Sequence, residues 1–133
     1  MPQPARHLSV SINRPLAEVY AYARQPQNLV HWASGLAESL QFEYGKWLVK
    51  SPTGTLQMRF SEPNVHGILD HWLTTPEGLE IYVPMRAIAN QHGTEIVFTL
   101  FRTPGMTDER FEHDSAWVER DLATLKRVLE NPS

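Results

Sequence analysis

The sequence contains no cysteine, which excludes disulfides, thiolate nucleophiles, cysteine-ligated zinc and iron–sulfur clusters. A cysteine-free chain fits a reducing compartment. No run of about 20 apolar residues occurs, so no membrane span is expected. The opening residues, Met1-Pro2-Gln3-Pro4-Ala5-Arg6-His7, lack the apolar stretch of a signal peptide. A cytoplasmic protein is the resulting expectation. Charge of one sign is also scarce. The net charge is −3 and like charges form no block, so neither nucleic acid nor an anionic membrane surface is an expected partner. The six histidines, His7, His31, His66, His71, His92 and His113, show no i, i+4 pair and no HExxH motif. No metal and no cofactor is therefore expected. Gly-rich phosphate loops and GxSxG elbows are missing too.

What is present reads as one folded domain over residues 1–133. A chain that is 41% hydrophobic and 20% charged has the composition of a packed globule. His7 to Ile12 alternates Leu8, Val10 and Ile12 with His7, Ser9 and Ser11, the pattern of a half-buried strand. Asn13-Arg14-Pro15 ends it and opens a helix, with Asn13 as cap and Pro15 in the first turn. Gln25-Pro26 breaks that helix and starts another, which runs to His31 or Trp32 and stops at Ser34-Gly35.

From Leu40 to Arg102 the chain reads as consecutive antiparallel hairpins. The turn signals are Gly45-Lys46, Pro52-Thr53-Gly54, Pro63-Asn64, Thr75-Pro76-Glu77-Gly78 and Asn90-Gln91-His92-Gly93. Pairing across them sets Tyr44 opposite Trp47, Phe42 and Leu56 opposite Val49, and Trp47 opposite Met58. It also sets Phe60 near Leu69, Leu73 near Ile81, His71 near Val83, Met85 near Phe98 and Val83 near Leu100. Opposed residues share a face. One face thus collects large apolar side chains and His71, whereas the other collects Glu43, Lys50, Gln57, Arg59, Asp70, Glu80, Arg86, Glu95, Thr99 and Arg102. Pro84 falls in mid-strand, where proline implies a bulge or an edge. Thr107 then caps a last helix reaching Glu130, with Asp108 and Glu109 at its positive end and a stripe of Phe111, Val118, Leu122, Leu125 and Leu129. Ser115 lies on the same stripe.

One strand, two short helices, a run of antiparallel strands and a long amphipathic helix make an α+β two-layer arrangement. Three stretches carry a family resemblance: Asn13-Arg14-Pro15-Leu16-Ala17-Glu18-Val19-Tyr20, then Gln25-Pro26-Gln27-Asn28 leading to Trp32, then His92-Gly93-Thr94-Glu95-Ile96-Val97-Phe98-Thr99-Leu100 before the final helix. In this layout the chain resembles the START-related helix-grip superfamily, in its polyketide cyclase/dehydrase-like branch. The resemblance implies a curved antiparallel sheet wrapped around the C-terminal helix, with a hydrophobic cavity between them. It does not imply one activity, because members carry lipids, bind small hydrophobic compounds, cyclise polyketides or assist other proteins.

Residues expected on that cavity are Trp32, Tyr44, Trp47, Met58, Phe60, His71, Leu73, Ile81, Val83, Met85, Phe98, Leu100, Phe111, Ser115 and Val118. The same apolar side chains would equally fill a solid core. His71 is the candidate acid or base, or the group that orients a ligand. Its structural alternative is a core histidine bonded to Tyr44 or to backbone. Asp70 should point to the opposite face and meet Arg59 or Arg86. Ser115 would touch ligand or bond its own helix. Three functions follow: binding of a small hydrophobic molecule, an enzyme acting on a polyketide-like or aromatic substrate through His71, or an interaction module. The last would use Trp72 and Tyr82, opposed on the outer face, as a homodimer or partner contact.

Overall fold

The computed structural model describes residues 1–33, 39–51 and 54–131. The alternating N-terminal stretch forms strand β1, Ala5–Ile12, with its apolar side turned inward. Helix α1, Leu16–Ala23, starts on Pro15, which takes the cap position itself in extended backbone. The cap expected at Asn13 is not made. Its backbone N–H instead donates to Glu130 Oε2 at 2.7 Å. Proline suits a helix start because its missing donor is not needed there. A 3₁₀ turn at Pro26–Asn28 leads into the short α2, Leu29–Trp32. The expected stop at Ser34-Gly35 and the Pro52-Thr53 hairpin tip lie outside the described residues.

Strands β2 (Ser39–Glu43), β3 (Lys46–Ser51), β4 (Gly54–Phe60), β5 (His71–Thr74) and β6 (Glu80–Val83) pair in that order, and β1 pairs with β8 (Gly93–Phe101), which pairs with β7 (Met85–Asn90). All pairs are antiparallel. The expected registers hold for β3 with β4, β5 with β6 and β7 with β8, where Val49 faces Leu56, His71 faces Val83 and Met85 faces Phe98. Two registers differ by two residues. Phe42, not Tyr44, faces Trp47, because the turn is Tyr44-Gly45 rather than Gly45-Lys46. Both turn residues have positive φ, 51° and 77°, as a two-residue type I′ hairpin demands. Phe60 faces His71 rather than Leu69, because the Pro63-Asn64 region is a loop and not a tight turn. There the Asn64 side chain accepts from the backbone N–H of His66 and Ile68 at 2.9 and 3.0 Å. A two-residue shift keeps strand side chains on their faces, so the apolar inner face survives both corrections, except that Tyr44 moves into the turn and Phe42 is exposed.

Pro84 is the single residue between β6 and β7, where the chain passes from the five-stranded ladder to the three-stranded one. The register of His71 with Val83 resumes at the Ile68–Arg86 bridge, so nothing slips across the proline. Continued through the gap, that register sets Asp70 opposite Pro84. The Asp70 carboxylate gathers the donors beside the proline, the Met85 N–H among them. Its Oδ1 accepts from Met85 N and Arg86 Nε, both at 2.9 Å, and its Oδ2 from Tyr82 Oη at 2.6 Å and Arg86 Nη2 at 2.9 Å. Asp70 meets Arg86, not Arg59, and it is 5% exposed, so this is not the surface pair expected. Nearby, Gly67 has φ 73° and lies against Ala87, whose carbonyl oxygen would sit 2.1 Å from an added Cβ. Only glycine fits that approach.

Helix α3, Asp108–Glu130, is capped by Thr107, whose side chain accepts from Arg110 N at 3.1 Å. It is strapped along β1. Arg6 donates to both Glu112 oxygens at 2.9 and 2.7 Å, and Lys126 Nζ donates to Ser11 O at 2.6 Å. Its second half supplies Leu122, Leu125 and Leu129 to the core, which gathers Ile12, Val19, Leu29, Val49, Met58, Leu69, Met85 and Ile96. No helix of the described residues is long and apolar enough to cross a membrane.

Burial alone would raise the Asp70 pKa, but the bonds from Arg86, Tyr82 and Met85 N outweigh it and hold it at about 2, against 3.8 ordinarily. Its stabilisation is therefore complete above pH 4 and lost as pH falls towards 2. The shift corresponds to at most about 2 kcal/mol, since half-exposed Arg86 is partly screened. Urea denaturation of Asp70→Asn at pH 7 should show a loss of about 2–3 kcal/mol. The variant should also lack most of the wild-type loss of stability between pH 4 and 2. An equally steep loss in the variant would show that other carboxylates carry it.

Candidate functional site

Residues of the sheet and of α3 face each other across open space. Between the two lies a cleft of about 640 Å³, within the range of small-molecule sites. Its sheet wall is Leu56, His71, Leu73, Ile81, Val83, Phe98, Leu100 and Phe101, and its helix wall includes Trp117, Val118 and Leu122. Leu29, Trp32 and Ala33 of α2 also line it, as does the 103–106 loop that leads into α3. The interior is mostly hydrocarbon. Exposed Arg110 and His113, with Asp114, make a polar rim, and Arg110 Nε pairs with Asp114 Oδ1 at 2.9 Å. The loop is held from outside the cleft. Arg102 donates to Met106 O at 3.0 and 2.8 Å and pairs with Asp108.

His71 is the polar group set deepest in the sheet wall, 3% exposed. Its ring lies 5.0 Å from that of Phe60 and 6.4 Å from that of Phe98. Nδ1 is 3.1 Å from Leu69 O. A carbonyl only accepts, so Nδ1 carries the hydrogen and Nε2 of the neutral ring is a lone-pair acceptor. Burial pushes the His71 pKa down, against the smaller opposing effects of the Leu69 carbonyl and the Asp70 charge. With Nδ1 occupied by Leu69, the polar atom that His71 offers to the cleft is Nε2. Trp32 Nε1 and Trp117 Nε1 are buried donors without a hydrogen-bond partner among the described residues, and both side chains belong to the wall. The buried Asp121 side chain lines it as well. Among the described residues no three His, Asp or Glu side chains gather as metal ligands would.

No protein-family model matches the sequence, and no curated protein matches it. Solved structures do match in shape. A START superfamily protein from Mycobacterium smegmatis superposes with TM-score 0.75 at 8% identity, over 97% of this chain and 99% of that one. The Zhui aromatase/cyclase from Streptomyces sp. R1128 superposes with TM-score 0.66 at 18% identity, over 96% and 94%. XoxI from Bacillus cereus gives 0.76 at 12% identity, over 96% of each. The chain has the helix-grip fold that these structures share.

Within the helix-grip cleft, Trp32, His71, Leu73, Ile81, Val83, Phe98, Leu100 and Val118 of the expected set form wall. Met58 and Met85 are instead consumed by the core, and Phe111 is buried under the Arg6 guanidinium at 4.9 Å. Trp47 and Phe60 are half-buried and pack against the core without lining the cleft. Ser115 donates to Phe111 O at 2.9 Å, the intrahelical alternative. Tyr44 is 99% exposed at its turn and is not the partner of His71, which is bonded to backbone. The wall residues missed include Leu29, Ala33, Leu56, Phe101, Leu122, Trp117 and Asp121, with the 103–106 loop and the Arg110, His113 and Asp114 rim. Arg110, Asp114, Trp117 and Asp121 recur at helical spacing one position ahead of the apolar stripe. That stripe was the available signal, hidden because its members are polar or amphipathic.

A depressed His71 pKa has a defined consequence. The unfolded chain takes up that proton first, so stability should fall as pH drops through the window just below 6.5. Nitrogen NMR should show His71 protonated at Nδ1 alone near neutrality, with a pKa below the ordinary value. His71→Phe should flatten the stability loss between pH 7 and 5, and an unchanged slope would assign the proton elsewhere.

Proposed function

We propose that the protein binds a small hydrophobic molecule in the cleft between its sheet and α3. The observation that carries this is the cleft itself, about 640 Å³ walled by Leu73, Ile81, Val83, Phe98, Leu100 and Val118. A core built to be solid would close such a volume, because lining atoms without contacts forfeit dispersion energy. The helix straps to β1 support the same reading, since they hold α3 from the side and leave the cleft standing. Its residents by this proposal are the wall residues named above, with His71 and the two indoles as the polar contacts.

An enzymatic reading, with the aromatase/cyclase activity named for one structural neighbour, draws its support from His71 and Asp121 lining one cleft. It requires that a bound compound be changed. Native mass spectrometry followed by organic extraction separates the two: a compound recovered intact after incubation supports a binder, and a product of altered mass supports an enzyme.

Titration with N-phenyl-1-naphthylamine, a neutral apolar fluorophore, should give saturable enhancement at one site per chain. Val118→Trp fills the cleft from the helix side and should weaken binding at least tenfold with thermal stability retained. Unchanged affinity in that variant would place the probe elsewhere and count against the proposal.

A further inference from the structure

We propose that His71 Nε2 selects ligands bearing a hydroxyl group at their buried end. This rests on the reading of the cleft as a ligand site and adds a chemical class to it. Three observations combine. Leu69 O occupies Nδ1 and thereby fixes the tautomer. No described side chain bonds Nε2, whereas the surroundings of the ring are Phe60, Phe98 and, across the ladder, Val83. The histidine forms part of the cleft wall. An acceptor in an apolar wall discriminates strongly. A hydroxyl donates to it and recovers a bond lost from water, whereas an ether, ketone or carboxylate oxygen meets lone pair with lone pair.

The backbone makes the acceptor rigid. His71 is the first residue of β5, between Phe60 of β4 and Val83 of β6. Its neighbour Asp70 is held by four hydrogen bonds on the opposite face. The imidazole is thus a fixed acceptor rather than a side chain that adapts, and fixed acceptors are what give a site selectivity between near-isosteric ligands. Trp32 and Trp117, whose N–H groups have no partner among the described residues of the same wall, offer the complementary polarity to a second oxygen.

The test uses naphthalene, 2-methoxynaphthalene and 2-naphthol as competitors of N-phenyl-1-naphthylamine at pH 7, with the intact chain. All three should bind, and 2-naphthol should bind about tenfold tighter than its methyl ether, the effect of one neutral hydrogen bond. In His71→Phe the preference should vanish or reverse, because the hydroxyl then leaves water for no partner. A second readout needs no variant: 2-naphthol should shift the His71 Nε2 resonance of labelled wild-type protein, and naphthalene should shift it far less. Equal binding of naphthol and ether would overturn the hydroxyl assignment and leave the binding proposal standing. A preference that persists in His71→Phe, with an unmoved Nε2 resonance, would overturn the role of His71. Failure of all three arenes to compete would overturn both.

Discussion

The carboxylate of Asp70 sits where the strand pairing cannot complete itself. A proline stands opposite it where β6 becomes β7, and beside that break the buried Met85 N–H needs an acceptor. The Asp70 oxygens accept from Met85 N, Arg86 and Tyr82. The guanidinium that partners it is half exposed, so the charge pair does not carry the full desolvation cost of a closed interior pair. Around this joint the sheet turns from its five-stranded ladder to its three-stranded one without a change of register.

The joint also orders the cleft. Successive strand residues point to opposite faces, so fixing Asp70 outward fixes His71 inward. The Leu69 carbonyl then orients the ring. On the far side of the cleft α3 plays two parts along its length. Leu122, Leu125 and Leu129 weld its second half to the core, while its first half arches over open volume and is held by Arg6 and the Thr107 cap. The outer-face pair Trp72 and Tyr82 is tied into the frame, with Tyr82 still exposed. Their rings stack at 5.3 Å, Arg59 covers Trp72 at 4.3 Å, and the Tyr82 hydroxyl belongs to the Asp70 cluster.

Much of the architecture was legible in the residues because one-sided strands and one-sided helices leave period-two and helical patterns that do not depend on distant contacts. The inner-face set survived two wrong turns, at Tyr44 and at Asn64, since each error was an even number of residues. Turn tips were less legible: a left-handed tyrosine before Gly45 has no propensity signal. The fate of individual apolar residues was least legible. Met58 and Met85 look like cleft residues by type and face, and so do Leu73 and Val83. All four join the core, and only Leu73 and Val83 also line the cleft, a difference that periodicity does not carry.

By itself, the sequence determined the element order, the inner and outer faces, the Thr107 cap and the inward aim of His71, because each follows from local pattern and short-range pairing. Only the tertiary structure decided that a cleft stays open between α3 and the sheet, that the 103–106 loop lines it, and that Asp70 is a buried joint. Those outcomes depend on how far apart whole elements come to rest, which is set by the sum of contacts across the core and by no single stretch of chain.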